Sequence, residues 1–235
     1  MILRLDKFIS ANSAYSRSEI RTAARRGKIL VNGQIQRAFD FKIDTDYDKV
    51  SIYENEISSI GNVYLVMNKP AGVISASNDK NKETVVDLVP EQFKHLDLFP
   101  VGRLDRDTTG LLIITNDGDF AHKVISPKND VEKCYEVELD ADLTEDLVEK
   151  FSKGVVLADG TQCKSAVLEI LDSRNALITI TEGKYHQVKR MFGVFGLGVN
   201  RLHRRSIGGL SLPKHLEPRQ CLQIDGQEIM DKVLK

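Results

Sequence analysis

The sequence predicts an α+β protein in two parts, a small head of two helices and a short sheet, then a larger body on a mostly antiparallel mixed sheet. Three observations carry this. Residues 1–58 place two helix-periodic stretches ahead of a strand–turn–strand pattern. A polar, Gly/Ser-bearing stretch at 54–62 follows, with 59–62 as the linker proper. Residues 63–235 then hold many short β-like runs that do not alternate regularly with helices, as a doubly wound fold would require.

In chain order, Leu5 to about Ala11 reads as a short helix with Leu5, Phe8 and Ile9 on one face. Ser16-Arg17-Ser18-Glu19 is a capping-box pattern that opens a second helix, with Ile20, Ala23 and Ala24 at helical spacing and Gly27 as its stop. Ile29–Val31, Asn32-Gly33 and Gln34-Ile35 read as strand, tight turn, strand. In the body, strands are expected at 63–68, 111–115, 134–139, 166–171 and 175–181, and helices at 119–125, 144–152 and 185–196.

Composition sets the bounds. A chain of 235 residues with 41% hydrophobic and 29% charged residues is globular in type. No apolar run approaches the ~20 residues of a membrane span. The charged start, Arg4, Asp6 and Lys7, does not suit a secretory leader, so a cytoplasmic protein is expected. Cys134, Cys163 and Cys221 form no CxxC pair, which fits structural thiols in a reducing compartment. The net charge of −1 hides an asymmetry. Residues 1–42 hold nine Lys/Arg against Asp6, Glu19 and Asp40, a net +6, so the rest carries −7. A basic head on an acidic body points to an anionic partner for the head. Arg17, Arg21, Arg25 and Lys28 fall within about one quarter of a helix circumference. With acids nearly absent from that face, the stripe reads as a phosphate contact.

"GRLDRDTTGLLIITNDG", 102–118, sets Asp105 between Arg103 and Arg106 at the entrance of an apolar strand. Such a carboxylate can be a structural ion pair, a metal ligand or a catalytic group. His95, His122, His186, His203 and His215 are dispersed without metal-binding spacing, which disfavours the metal. Flanking cations favour the ionised form that a nucleophile or base needs. Thr108 and Thr109 are expected to hydrogen-bond the loop, Gly110 to allow a tight turn, and 111–115 to anchor it. On these grounds alone the structural and the catalytic readings both stand.

The head resembles the S4 RNA-binding module, through "LRLDKFIS", "SRSEIRTAARRGKILVNG" and "FDFKI". The 102–118 stretch resembles the signature of pseudouridine synthases of the ribosomal small-subunit type, the subgroup with an S4 module in front. "VMNKPAGVISA" (66–76), "EKCYEVEL" (132–139), "EGKYHQVKRMF" (182–192) and "LHRRSIGGLSL" (202–212) resemble further motifs of that family, in order.

The resemblance implies that Asp105 is the essential aspartate, Tyr135 the tyrosine that packs on the target base, and Lys189 the cation that pairs with the aspartate. It implies isomerisation of a uridine in ribosomal RNA, 16S rRNA by preference, without a cofactor or a metal. "KYHQVKRM" and the absence of a long basic tail favour the small-subunit branch over large-subunit relatives, while a non-catalytic assembly factor would have no use for the Asp105, Tyr135, Lys189 set. Asp107 is read as structural. The target base must leave its stack, so phosphate grips are needed around the site. Lys184, Arg190, Arg201, Arg204 and Arg205, lying with Lys189 in an acid-free stretch, 184–205, are the candidates, and Arg103 is the candidate to help hold the flipped nucleotide. Arg4, Lys7, Arg17, Arg21, Arg25 and Lys28 are the candidates of the head. A monomer acting on rRNA, naked or within a small-subunit assembly intermediate, is expected, with no membrane.

Overall fold

The computed structural model describes residues 2–59 and 61–234. Met1, Lys235 and Ile60, the last within the expected linker, lie outside the described residues. The chain divides into two compact units, Met1–Asn62 with Pro90–Leu98, and Val63–Val89 with Phe99–Lys235.

In the first unit, β1 (Ile2–Arg4) leads into α1 (Leu5–Ala11), followed by α2 (Arg17–Arg25). The strands β2 (Ile29–Val31), β3 (Gln34–Ile35), β4 (Lys42–Asp44), β5 (Val50–Ile52) and β6 (Asn55–Ile57) come next. β1 pairs with β4, and the other strands form an antiparallel sheet in the order β3-β2-β5-β6. Leu5, Phe8, Ile9, Ile20, Ala23 and Ala24 bury the apolar faces of both helices against Ile29, Ile43, Val50 and Ile52.

The local signals explain the helix ends. The Ser16 hydroxyl accepts from the Glu19 N–H and the Glu19 carboxylate accepts from the Ser16 N–H, so the capping box is complete, an arrangement worth about 1 kcal/mol. At the other end, Lys28 N–H donates to the Ala23 carbonyl and Gly27 N–H to that of Ala24, with Gly27 at φ +67°. This is a Schellman stop, and it turns the chain away before Lys28. Lys28 is therefore exposed but not part of the helical stripe, which is limited to Arg17, Arg21 and Arg25. Asn32 and Gly33, at φ 51° and 77°, make the two-residue turn of the β2–β3 hairpin.

The polar stretch at 54–62 is not all linker. Asn55–Ile57 pairs with β5 through a turn in which Tyr53 and Glu54 both have positive φ, and Ile57 is buried. Tyr-Glu lacks the Asn/Gly signature of such turns, which is why the hairpin is silent in the sequence.

The second unit is a mixed sheet. Its strands are β7 (Tyr64–Lys69), β8 (Phe99–Pro100), β9 (Thr109–Thr115), β10 (Lys133–Leu139), β11 (Val167–Ile170), β12 (Asn175–Ile180), β13 (Val199–Ile207), β14 (Leu210–Ser211) and β15 (Cys221–Ile224). The order is β11-β12-β10-β13-β9-β7-β15, with β14 on β13 and β8 on β9. Among the described residues every pairing of these strands is antiparallel except β13 with β9. Four helices accompany it: α3 (Gly118–Ile125), α4 (Asp146–Ser152), α5 (Gln187–Gly193) and α6 (Gly226–Val233). Phe120 and Val124 of α3 and Ile229 and Val233 of α6 pack on alternate residues Tyr64, Val66, Leu111 and Ile113. Phe151 of α4 meets Phe192 of α5 with ring centres 4.8 Å apart.

The expected body strands and helices are present, with α5 shorter at both ends than 185–196. The expected elements do not include β8, β13, β14, β15 or α6. β13 is hidden because one of its inward positions is an arginine, Arg204, so apolar and polar residues do not alternate cleanly. Gly110 serves a different purpose from the expected turn. It lies inside β9 at φ +102°, and a Cβ there would stand 2.3 Å from the Arg204 carbonyl oxygen. Only glycine allows β13 that close.

All three cysteines are free thiols. Burial raises Cys163 and pushes Cys221 to about 11, so both are chemically quiet. Among the described residues no helix is long and apolar enough to cross a membrane.

Candidate active site

Asp105 sits on the loop that enters β9, and that loop is tied down by residues distant in sequence. Lys69, fully buried at the end of β7, donates to the carbonyls of Pro70 (3.0 Å), Asp105 (3.1 Å), Arg106 (3.4 Å) and Thr108 (2.9 Å). The Ser75 hydroxyl donates to the Leu104 carbonyl and accepts the Leu104 N–H, both at 3.0 Å. Arg106 Nε donates to the Gly72 carbonyl at 3.0 Å, and Gly72 N–H returns a bond to the Arg106 carbonyl. The main chain around Asp105 is thus fixed before any ligand arrives, which is what a reacting group requires. Burial of Lys69 pulls its ammonium down to about 8, against the opposing pull of Asp107 and Asp105.

Lys189, the cation that the resemblance implied for Asp105, stands beside its carboxylate together with the unexpected His186, while the flanking arginines do not. Arg103 is exposed, and Arg106 is turned toward Gly72. Instead His186 Nε2 stands 3.4 Å from Oδ1 and Lys189 Nζ 3.6 Å from Oδ2. Lys189 makes its shorter bonds to Asp107, at 2.6 and 2.7 Å, and holds that carboxyl below the usual carboxylate range. Asp107 therefore fixes the cation that faces Asp105. His186 reaches Asp105 because it adopts a left-handed conformation (φ 48°, ψ 34°) ahead of α5, and its ring stacks on exposed Tyr185 at 3.8 Å. Neither threonine bonds as expected: the Thr108 hydroxyl is buried without a partner among the described residues, and that of Thr109 shares a hydrogen bond with His203 Nδ1 at 2.9 Å.

Across from Asp105, Tyr135 of β10 and Arg204 of β13 are neighbours in register. Tyr135 is 7% exposed and Arg204 3%. Arg204 Nη1 donates to the Tyr135 hydroxyl at 3.4 Å, and its guanidinium stands 5.9 Å from the ring centre. Asp105, Tyr135, Arg204, Lys133, His186 and Arg103 all line one cavity of about 440 Å³, whose apolar walls include Val101, Ile180, Leu202 and Ile207. That volume suits a nucleotide-sized ligand held by a few polar groups.

The acid-free stretch 184–205 is less free than its composition suggests. Lys184 pairs with buried Glu182, and Arg190 with Asp159 at 2.5 Å. Arg204 is inside, not on the surface, because its position on β13 points inward. Arg201 and Arg205 are exposed, Arg205 lying 3.7 Å from Glu136. In the head, Arg4 is bonded to Asp6, Lys7 is exposed, and Arg17, Arg21 and Arg25 are exposed on α2, Arg21 resting 5.0 Å over the Phe39 ring. Four residues of the site were not singled out in the sequence: Lys69, Ser75, Lys133 and His186. Each lies inside a quoted motif, but only the fold shows where its side chain goes.

The profile of the RNA pseudouridylate synthase family matches residues 63–193, more than half the chain, and that of the S4 domain matches 3–44. The chain belongs to the pseudouridylate synthase family. An uncharacterised RNA pseudouridine synthase of Bacillus subtilis (strain 168), YtzG, is 40% identical over 232 residues, 97% of each chain. Ribosomal small subunit pseudouridine synthase A of Escherichia coli (strain K12) is 37% identical, covering 98% of this chain and 100% of the relative. The enzyme of the same name from Vibrio cholerae (serotype O1, strain N16961) is 38% identical, with 97% and 98% covered. A crystal structure of a pseudouridylate synthase matches with a TM-score of 0.69 at 36% identity, over 98% of this chain and 99% of that one.

Proposed function

We propose that this pseudouridylate synthase isomerises one uridine of ribosomal RNA, in the 16S molecule, with Asp105 as the reacting carboxylate. The observation that carries the reading is the position of Asp105, on a loop pinned by Lys69 and Ser75, in one cavity with an aromatic wall. Isomerisation breaks the bond from N1 to C1′, turns the base, and joins C5 to C1′. A carboxylate serves by attacking C1′ or by removing the 2′ proton. Lys189, braced by Asp107, sets the field at Asp105, and Tyr135 packs on the flipped base. Arg103 helps hold the flipped nucleotide, Lys184, Arg201 and Arg205 grip flanking phosphates, and Arg190 is held by Asp159. Residues 1–58 act as the RNA-docking domain, through Arg4, Lys7, Arg17, Arg21, Arg25 and Lys28, and 63–235 as the catalytic domain. The protein works as a cytoplasmic monomer. The small-subunit assignment is supported by the names of the Escherichia coli and Vibrio cholerae relatives.

The test is direct. Purified protein and Asp105→Asn are incubated with 16S and 23S rRNA, naked and as assembly intermediates, and pseudouridine is quantified. Wild type is expected to act on the 16S species, and Asp105→Asn to fall by more than about 10³-fold while still binding RNA. Turnover by Asp105→Asn removes the carboxylate from its role, and activity confined to 23S rRNA moves the substrate to the large subunit.

A further inference from the structure

Two cations at the floor of the cavity have no part in the chemistry so far. Arg204 and Lys133 both line it, at 3% and 8% exposure. Arg204 spends Nε on the Leu111 carbonyl (2.7 Å) and Nη1 on the Tyr135 hydroxyl. Its Nη2 is buried and meets no acceptor among the described residues. Lys133 spends one of three N–H groups on the Val131 carbonyl at 2.7 Å. Among the described residues neither is ion-paired to a carboxylate. Burial disfavours the Lys133 ammonium, and the charge of Arg204 disfavours it further.

Two like charges buried together with no carboxylate in ion-pair contact, Asp130 acting on Lys133 through its field alone, are a poor way to hold two strands. An apolar pair would fill the inner face of β10 and β13 without the desolvation penalty. The arrangement becomes favourable when negative charge enters the cavity. Register places Arg204 directly beside Tyr135, so the floor adjoins the wall on which the base would pack.

We propose that Lys133 and Arg204 form a cationic floor that stabilises the negative charge on the uracil while it is detached from the ribose. The proposal rests on the reading of the site as uridine-isomerising. When the N1–C1′ bond breaks, its electron pair stays on the base and spreads from N1 onto O2 and O4. C1′ is met by a carboxylate oxygen of Asp105, or Asp105 takes the 2′ proton; the charge on the base is the same in both routes. C5 then supplies the electron pair of the new bond to C1′, the proton leaves C5, N1 gains one, and the carboxylate is restored. Donors fixed in place before the charge appears do most in a water-poor cavity. Lys133 and Arg204 are therefore assigned as catalytic residues that touch the base, distinct from Asp105, which acts on the sugar.

A better leaving group should need the floor less. Transcripts of rRNA made with uridine or with 5-fluorouridine, whose fluorine stabilises the base anion, are compared in single-turnover cleavage of the N1–C1′ bond. Lys133→Met is expected to slow the uridine transcript by about 10²-fold, the fluorinated one by clearly less, and Lys133→Arg to stay near wild type. Arg204→Lys, which retains the charge without the fork, is expected to show the same inequality. A binding measurement needs no turnover: 5-nitrouracil, an anion at neutral pH, is expected to bind wild type more tightly than uracil does, and Lys133→Met to erase that preference without lowering the melting temperature. Equal slowing on both transcripts, or no preference for the anion, overturns the floor. Failure of the functional reading shows itself differently, as wild-type protein that leaves uridine transcripts unchanged, and overturns the floor's role with it.

Discussion

At the scale of single residues, the site is a set of charges whose partners decide their use. Lys189 is fixed by Asp107 and faces Asp105 from 3.6 Å, so one carboxylate positions a cation for the other. Two buried lysines set the expected pH response. Lys69, facing Asp105, Asp107 and Arg204, and Lys133, facing Asp130, Arg204 and Lys164, are both brought to about 8 by burial. If the Lys133 charge is needed, turnover falls as pH rises through about 8, and Lys133→Arg moves that fall to higher pH; a profile that is flat to pH 9.5 excludes the requirement. Stability has the opposite sign. An unperturbed lysine titrates near 10.5, so between about 8 and 10.5 the unfolded chain binds more protons and stability rises with pH. Lys133→Met is expected to flatten that rise in a melting series. Asp105 and Tyr135 were legible in the sequence because their motifs carry them. Lys69 and His186 were not, since a lysine reaching four carbonyls and a histidine in a left-handed turn are visible only once the chain is folded.

At the scale of elements, the parallel contact of β9 with β13 holds the Asp105 loop against the cavity wall. It depends on Gly110, where a Cβ would meet Arg204 backbone atoms at 2.3 and 2.7 Å. Gly110→Ala is expected to cost on the order of 3 kcal/mol and to lower activity with it; a melting temperature within a degree of wild type contradicts this packing. On α2, Arg17, Arg21 and Arg25 present a basic face opposite buried Ile20, Ala23 and Ala24. Replacing all three with Gln is expected to weaken RNA binding and to flatten its salt dependence by roughly one unit of slope per lost phosphate contact, while turnover at saturating RNA survives. Unchanged affinity and slope would make the stripe a solvated face. The capping box and the Asn-Gly turn made α2 and the first hairpin readable in advance. β6 and β13 were not, because one turns through Tyr-Glu and the other carries an arginine at an inward position.

At the scale of the whole molecule, composition alone separated a basic head from an acidic body, and the fold class followed from strand runs that do not alternate with helices. The finer division did not: Pro90–Leu98 groups with the first unit, through contacts between residues far apart in sequence. Two linked RNA-contacting units select one site by geometry better than one pocket does, because the second contact is made at high effective concentration. The central claim is a single uridine in small-subunit rRNA, isomerised through Asp105. Its most direct measurement is a map of pseudouridine across all ribosomal and transfer RNAs in cells lacking the gene. Loss of one 16S signal is predicted, restored by the wild-type gene and not by Asp105→Asn. Loss of a 23S or transfer RNA signal instead, or no loss at all, would contradict it.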